Sequence, residues 1–134
     1  MNWAGSVRVW AWLYLALLAV LCVFQIALAL GAPWGALAMG GAYPGVYPPA
    51  MRVAALVQIV VYGAMGAVVA ARAGIGVVQL ERASRWAIWL VVAINAIALV
   101  LNLITPSASE RMLWAPVAAV MFFASLRVAM QRER

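Results

Sequence analysis

The sequence predicts an all-α integral membrane protein in which four transmembrane helices form one antiparallel bundle. Three observations lead to this prediction. Of the 134 residues, 69% are hydrophobic and only 9% are charged, a composition outside the range of soluble globular domains. Four apolar runs are each long enough to cross about 30 Å of hydrocarbon at about 1.5 Å per residue. Short connections join consecutive runs, which favours antiparallel neighbours.

The predicted spans belong to a single domain over residues 1–134 and cover residues of about 10–30, 53–71, 86–104 and 113–130. The first run has no charge and is longer than the apolar region of a signal peptide, which has roughly 7 to 15 residues. Because three more spans follow it, we expect it to be retained. We expect Thr105-Pro106 to end the third span, and Pro116 to lie in the first turn of the fourth, where a missing N–H costs little.

The connection between the first two spans, residues 31–52, is rich in Gly, Pro and aromatic residues and carries no charge before Arg52. A loop surrounded by water is normally more polar than this. We therefore expect it to lie at the outer face of the membrane that the helices cross and to cover the bundle. Gly would allow its tight turns, and Pro would stop helices there.

The positions of the basic residues predict the orientation. All nine are arginine, and the net charge is +6. With a cytoplasmic N-terminus, only Arg52 and Arg111 face outward, and the remaining seven lie inside: Arg8, Arg72, Arg82, Arg85, Arg127, Arg132 and Arg134. We therefore expect a multi-pass protein of the bacterial inner membrane with both termini cytoplasmic and an extracytoplasmic Gly/Pro loop. Orientation and anionic lipid headgroups explain the basic charge, so nucleic acid is not expected as a partner.

Several reactive residue types are missing from the chain. It has no His and no Asp, its acids Glu81, Glu110 and Glu133 lie outside the predicted spans, and Cys22 is its single cysteine. This argues against a metal site, a Ser-His-Asp or Cys-His nucleophile, and the intramembrane carboxylate or His that proton-coupled transport usually needs. We therefore expect no metal and no cofactor, and an enzymatic function is not favoured.

Four amide side chains inside the predicted spans are candidate ligand-binding residues: Gln25, Gln58, Asn95 and Asn102. Gln25 lies five residues before the outer end of its span and Gln58 five residues after the outer start of the next, so both should lie at one depth. Asn95 and Asn102 are seven residues apart and share a helical face. Polar groups in hydrocarbon need partners, so these amides should meet in the outer half of the bundle.

Two interpretations of the amides remain open. They could tie the helices together through hydrogen bonds worth about 0.6 to 2 kcal/mol each. Alternatively they could line an outward-facing polar pocket that is roofed by the loop aromatics, with Arg52 engaging an anionic or carbonyl group of a lipid-like ligand. The roofing residues would be Trp34, Tyr43 and Tyr47.

The stretches GAPWG, MGG, PGVYPP and MRVAA, followed later by NLITPSASER and WAP, resemble an uncharacterised family of small bacterial membrane proteins with four transmembrane helices. The resemblance covers most of the chain and implies the four-helix fold, but it implies no activity. Small multidrug exporters are similar in size, yet they depend on a membrane-embedded glutamate that is missing here. Dual-topology fluoride channels have a similar number of spans, but the arginine bias here indicates one fixed orientation.

The sequence thus supports two functional hypotheses. The first is a non-catalytic accessory or interaction subunit that assembles as a homo-oligomer or with a larger membrane protein complex. The second is a binding or carrier protein for a lipid-like or other amphipathic small molecule, which would use the amides and the loop. Membrane lipids are expected partners in both cases. An enzyme would lack an obvious base or nucleophile, and a channel would require oligomerisation.

Overall fold

In the computed structural model, which describes residues 3–132, the chain is helical and the described residues contain no strand. Its long helices in chain order are α1 (Trp3–Leu30), α2 (Pro49–Arg72), α3 (Glu81–Ile104) and α4 (Ala108–Ala129). By length and composition all four could cross a membrane, which is the architecture of a multi-pass membrane protein. Arg134, which is predicted to be cytoplasmic, and Glu133 lie outside the described residues.

The helices extend beyond the apolar runs. α1 begins at Trp3, α3 at Glu81 and α4 at Ala108, in each case several residues before the predicted span. The spans were bounded by charged or polar residues, and such residues end a hydrocarbon segment without ending a helix. α3 ends at Ile104, directly before Thr105-Pro106, as the sequence predicts.

The start of α4 corrects the prediction for Pro116. Ser107 is the N-cap, and its Oγ accepts a 3.2 Å hydrogen bond from the backbone N–H of Glu110. Because this cap begins the helix at Ala108, Pro116 lies well inside α4 rather than in its first turn. Pro116 has no N–H to donate to the carbonyl of Met112, so one hydrogen bond of the helical ladder is absent there.

Glycines end the first two helices in the same way. Gly31 after α1 and Gly74 after α2 both have positive φ angles, +101° and +69°. At each end two backbone hydrogen bonds close the last turn, for example from the Gly74 N–H to the Ala71 carbonyl and from the Ile75 N–H to the Ala70 carbonyl. This is the Schellman arrangement, in which a left-handed glycine satisfies the last carbonyls of a helix.

Each long helix packs mainly against two others, and α2 and α4 also make a smaller contact with each other. The most extensive contacts join α3 to α4 and α1 to α2, and further contacts join α1 to α4 and α2 to α3. The core between them includes Tyr14, Val69, Ile88 and Val128, whose side chains are fully buried. The outer faces carry large apolar side chains such as that of Val60, which is 71% exposed. Such faces are stable in lipid rather than in water.

Small residues on α2 have two different environments. A Cβ atom at Gly66 would lie 2.8 Å from Leu18 Cδ2 and 3.3 Å from Leu15 Cδ2, so this glycine permits the close packing of α1 and α2. Nothing lies within 4 Å of the corresponding position at Gly63, and Ala67 is exposed on the same side. The small residues of α2 therefore lie partly inside the bundle and partly on its outer face.

Candidate functional site

A cleft of about 1030 Å³ lies between the helices beneath the loop of residues 31–48. Side chains from all four helices and from the loop line it, and most of these are apolar. Val57 on α2 and Leu101 and Ile104 on α3 belong to this lining and are each more than half exposed. The cleft is therefore open on the side where α2 and α3 face each other.

All four predicted amides line this cleft, and two of them share a tyrosine. The Tyr62 hydroxyl lies near the side chains of both Gln25 on α1 and Gln58 on α2. The two glutamines therefore approach the same tyrosine from neighbouring helices. All three side chains are only half-buried and border the cleft.

Asn95 lies deeper and links α3 to α1. Its Nδ2 donates to the Tyr14 hydroxyl at 3.0 Å and to the Val91 carbonyl at 2.9 Å, and both side chains are buried. Both hydrogens of this amide are therefore used within the protein. Asn95 fits the structural interpretation of the amides, although it also forms part of the cleft wall.

Asn102 makes a different contribution. Its Nδ2 donates to the Ala98 carbonyl at 2.8 Å, one turn earlier in α3. This hydrogen bond stays within one helix and ties no second helix to it. Since the side chain is half-buried and lines the cleft, Asn102 is better placed to meet a ligand than to connect helices.

Of the three aromatic residues predicted to roof the pocket, one lines the cleft. Tyr47 is 4% exposed and lines the cleft. Trp34 and Tyr43 are not among the lining residues, but each packs against a residue that is. The Trp34 ring stacks on Phe24 with 6.3 Å between centroids, and the Tyr43 ring meets Tyr47 edge-on at 6.2 Å.

Arg52 does not face the cleft either, contrary to the expectation that it would engage a ligand. Its Nε donates to the Tyr47 carbonyl at 3.0 Å, and its guanidinium lies close above Gly31, where a Cβ atom would be 3.2 Å from Nη2. Arg52 thus fastens the end of the loop to the end of α1. The absence of a side chain at Gly31 leaves room for the guanidinium there.

Contacts with α4 hold the loop over the cleft. Trp114 Nε1 donates to the Leu37 carbonyl at 2.9 Å, and Ser107 Oγ donates to the Ala36 carbonyl at 2.9 Å. Within the loop, the Gly35 N–H donates to the Gly45 carbonyl at 2.9 Å. The loop is therefore fixed to the helix that lies farthest from it in sequence.

Glu110 is a lining residue that sequence reasoning missed. Its Oε2 accepts a 2.8 Å hydrogen bond from the Thr105 hydroxyl. The signal was present in the Ser107-x-x-Glu110 pattern, which is a helix-start signature and places Glu110 in the first turn of α4. Burial raises the pKa of the Tyr47 phenol, and the negative charge of Glu110 and the Tyr43 phenol raise it further. Both Tyr47 and Glu110 line this end of the cleft.

No cluster of three or more His, Cys, Asp or Glu side chains that could hold a metal ion occurs among residues 3–132. Comparison with known proteins returned no match to the chain, whether among protein-family models, curated proteins or solved structures. The case for a function therefore depends on the geometry of the cleft.

Proposed function

We propose that the protein is a binding or carrier protein for an amphipathic small molecule, which occupies the cleft beneath the 31–48 loop. The observation that carries this proposal is the cleft itself, with half-buried amides set in a mostly apolar wall. Its volume of about 1030 Å³ is at the upper end of the range for small-molecule sites, about 300 to 1,000 Å³.

The distribution of polar groups in the cleft favours an amphipathic ligand. Phe24, Met65 and Met121 offer apolar surface to a hydrocarbon chain. Gln25, Gln58 and Asn102 offer uncharged donors and acceptors from three helices. A fully polar solute would leave the apolar wall unmatched, and a pure hydrocarbon would leave the remaining hydrogen-bonding capacity of the amides unused.

The open side of the cleft supports entry from the membrane. The rim residues Val57, Leu101 and Ile104 are apolar and exposed, and they belong to helices that could cross a bilayer. A hydrophobic molecule dissolved in the bilayer could therefore reach the cleft between α2 and α3 without passing through water. The loop, held by Trp114 and Ser107, covers the adjoining end.

For the membrane arrangement we propose an antiparallel bundle in a bacterial inner membrane with both termini cytoplasmic and the 31–48 loop outside. The arginine distribution supports this orientation. Two contacts support the antiparallel order. Phe24 near the end of α1 meets Trp114 near the start of α4 at 4.8 Å between ring centroids, and Arg72 Nη2 at the end of α2 donates to the Gln131 carbonyl just after α4 at 2.9 Å.

The binding function is tested by removing amides from the cleft. We expect Gln58→Leu and Asn102→Leu to abolish retention of a co-purified small molecule, detected by native mass spectrometry after mild extraction, with little change in thermal stability. The matched control is Gln79→Leu, because Gln79 is exposed and lies outside this cleft. Unchanged ligand retention in both cleft variants, or loss of folding in both, would contradict a binding role for these amides.

The outward-facing small residues of α2 favour a second candidate, an accessory or interaction subunit of a membrane assembly. Gly63 has nothing within 4 Å of its Cβ position, and Ala67 one turn later is exposed. Small residues at four-residue spacing let a second transmembrane helix approach closely. The same native mass spectra would distinguish the candidates, since a stoichiometric protein partner or homo-oligomer lost in Gly63→Leu supports the subunit, and a bound small-molecule mass supports the carrier.

A further inference from the structure

We propose that the head group of the amphiphile in this cleft is an organic cation of the alkylammonium class, bound at Glu110. This inference rests on the proposed binding function and assigns the ligand a charge, which the amides alone do not do. It also reverses the expectation from the sequence, in which an arginine meets an anionic or carbonyl group.

The charge of the cleft wall differs in sign from that of the whole chain. The chain has a net charge of +6, yet Glu110 is the single charged side chain among the described residues that line the cleft. A carboxylate at the border of an apolar cavity attracts a cation and repels an anion, and the low polarity of the surroundings strengthens both effects. The carboxylate in the cleft wall therefore favours a positive head group.

The two arginines at this end of the bundle bond to backbone carbonyls and do not line the cleft. Arg52 Nε donates to the Tyr47 carbonyl at 3.0 Å, and Arg111 Nη1 donates to the Thr105 carbonyl at 2.8 Å. Neither residue lines the cleft. An anionic head group would consequently find no guanidinium in the wall to receive it.

A hydrogen bond holds the Glu110 side chain in position and leaves acceptor sites of the carboxylate unused. One oxygen, Oε2, accepts the hydrogen bond from Thr105, which is itself 6% exposed and part of the wall. A carboxylate offers about four lone-pair sites, so a single hydrogen bond leaves room for an ammonium donor. A charge-assisted pair of this kind is stronger than a hydrogen bond between neutral groups.

Two aromatic side chains of the cleft wall also favour a cationic head group. Tyr47 and Trp114 line the same cleft as Glu110, and Trp114 lies one turn after Glu110 on α4. Ring faces attract ammonium groups through their quadrupole. The hydrocarbon chain of such a ligand could then extend past the neutral amides toward Met65 and Met121.

The methionines provide a direct readout of occupancy. Met39, Met51, Met65 and Met121 line the cleft, whereas Met112 and Met130 are exposed outside it. We would label the methionine methyl groups with ¹³C, place the full chain in phosphatidylcholine nanodiscs, and titrate dodecylamine, dodecanol and dodecanoate separately. Met112 and Met130 report non-specific partitioning of each probe into the disc.

At neutral pH we expect saturable shifts of the cleft methyl groups with dodecylamine, which is then an ammonium, at an affinity at least about tenfold higher than that for dodecanoate. In Glu110→Gln, which keeps the acceptor for Thr105, we expect dodecylamine to bind about tenfold more weakly, equivalent to about 1.4 kcal/mol, and dodecanol to bind as before. The comparison of the three probes on the unaltered protein does not depend on the variant folding.

Three outcomes would overturn the inference in distinguishable ways. Dodecanoate binding as tightly as dodecylamine would exclude a cation preference and leave the binding function standing. An unchanged dodecylamine affinity in Glu110→Gln would remove Glu110 as the recognition group. Equal shifts at cleft and control methionines for all three probes would mean that no amphiphile occupies the cleft, and the proposed function would fall together with the inference.

Discussion

At the scale of single residues, the loop depends on close approaches that only small or specifically paired side chains permit. Gly35 is buried, and a Cβ atom there would lie 1.8 Å from the Tyr43 carbonyl oxygen and 2.7 Å from that of Gly45. The backbone of residues 43–45 thus passes directly over residue 35. This crossing lets the loop fold back and bring Tyr47 to the cleft.

The first prediction concerns this crossing. Gly35→Ala should lower the free energy of unfolding by about 1 to 3 kcal/mol, because the added methyl group forces the two crossing segments of the loop apart. Thermal unfolding in detergent micelles would measure the change. Gly63→Ala is the matched control, since it adds a methyl group into open space within a helix and should raise the free energy of unfolding by about 0.5 to 1 kcal/mol. Equal melting temperatures for Gly35→Ala and the unaltered chain would contradict the close approach.

At the scale of secondary-structure elements, a few buried polar links fix how the apolar helices sit against one another. Apolar side chains pack with little directional preference, so hydrogen bonds across the bundle select one helix rotation. Tyr14 on α1 and Asn95 on α3 form such a link at 3.0 Å, with both side chains buried. Because Asn95 is turned inward by this bond, the adjoining face of α3, with Ala98 and Asn102, forms the cleft wall.

The second prediction measures this link by a double-mutant cycle. Tyr14→Phe and Asn95→Leu should each destabilise the fold, and the coupling energy between them should be about 0.6 to 1.7 kcal/mol. The pair Tyr14→Phe with Gln79→Leu serves as a control, because Gln79 is exposed and makes no contact with the link. Strict additivity of Tyr14→Phe and Asn95→Leu would show that the hydrogen bond does not contribute to helix packing.

At the scale of the whole molecule, side chains fill the space between the four helices at one end of the bundle. At the other end, beneath the loop, they leave the cleft open. The described core residues below the cleft, such as Val69, Ile88 and Val128, are fully buried. Near the loop, the facing sides of α2 and α3 carry Ala54 and Ala98, which are too small to close the gap. Ligand capacity therefore depends on small residues in the wall as much as on the polar ones.

The third prediction fills this space. Ala98→Phe should block binding of a neutral amphiphile such as dodecanol, because the ring would occupy the cleft, while the melting temperature should change little since Ala98 borders an open cavity. Ala93→Phe is the matched control on the exposed side of the same helix. Methionine methyl spectra would report both. Full dodecanol binding in Ala98→Phe would place the ligand elsewhere.

What the sequence by itself determined are properties set by each segment alone. The four apolar runs predicted four long helices, because crossing hydrocarbon depends on local length and composition. Counting residues from the span ends predicts a common depth for Gln25 and Gln58, since the rise per residue of a helix is constant, and Tyr62 lies near both. Thr105-Pro106 marked the end of α3 for an equally local reason.

Only the tertiary structure decided which side chains face the cleft. Depth along a helix follows from the sequence, but the rotation of each helix and the path of the loop depend on contacts between distant segments. Arg52 bonds to the Tyr47 carbonyl and does not line the cleft. Glu110 lies outside every predicted span but does line the cleft, because the capped start of α4 lies beneath the loop. Facing direction is a property of the packed whole, so no local pattern contains it.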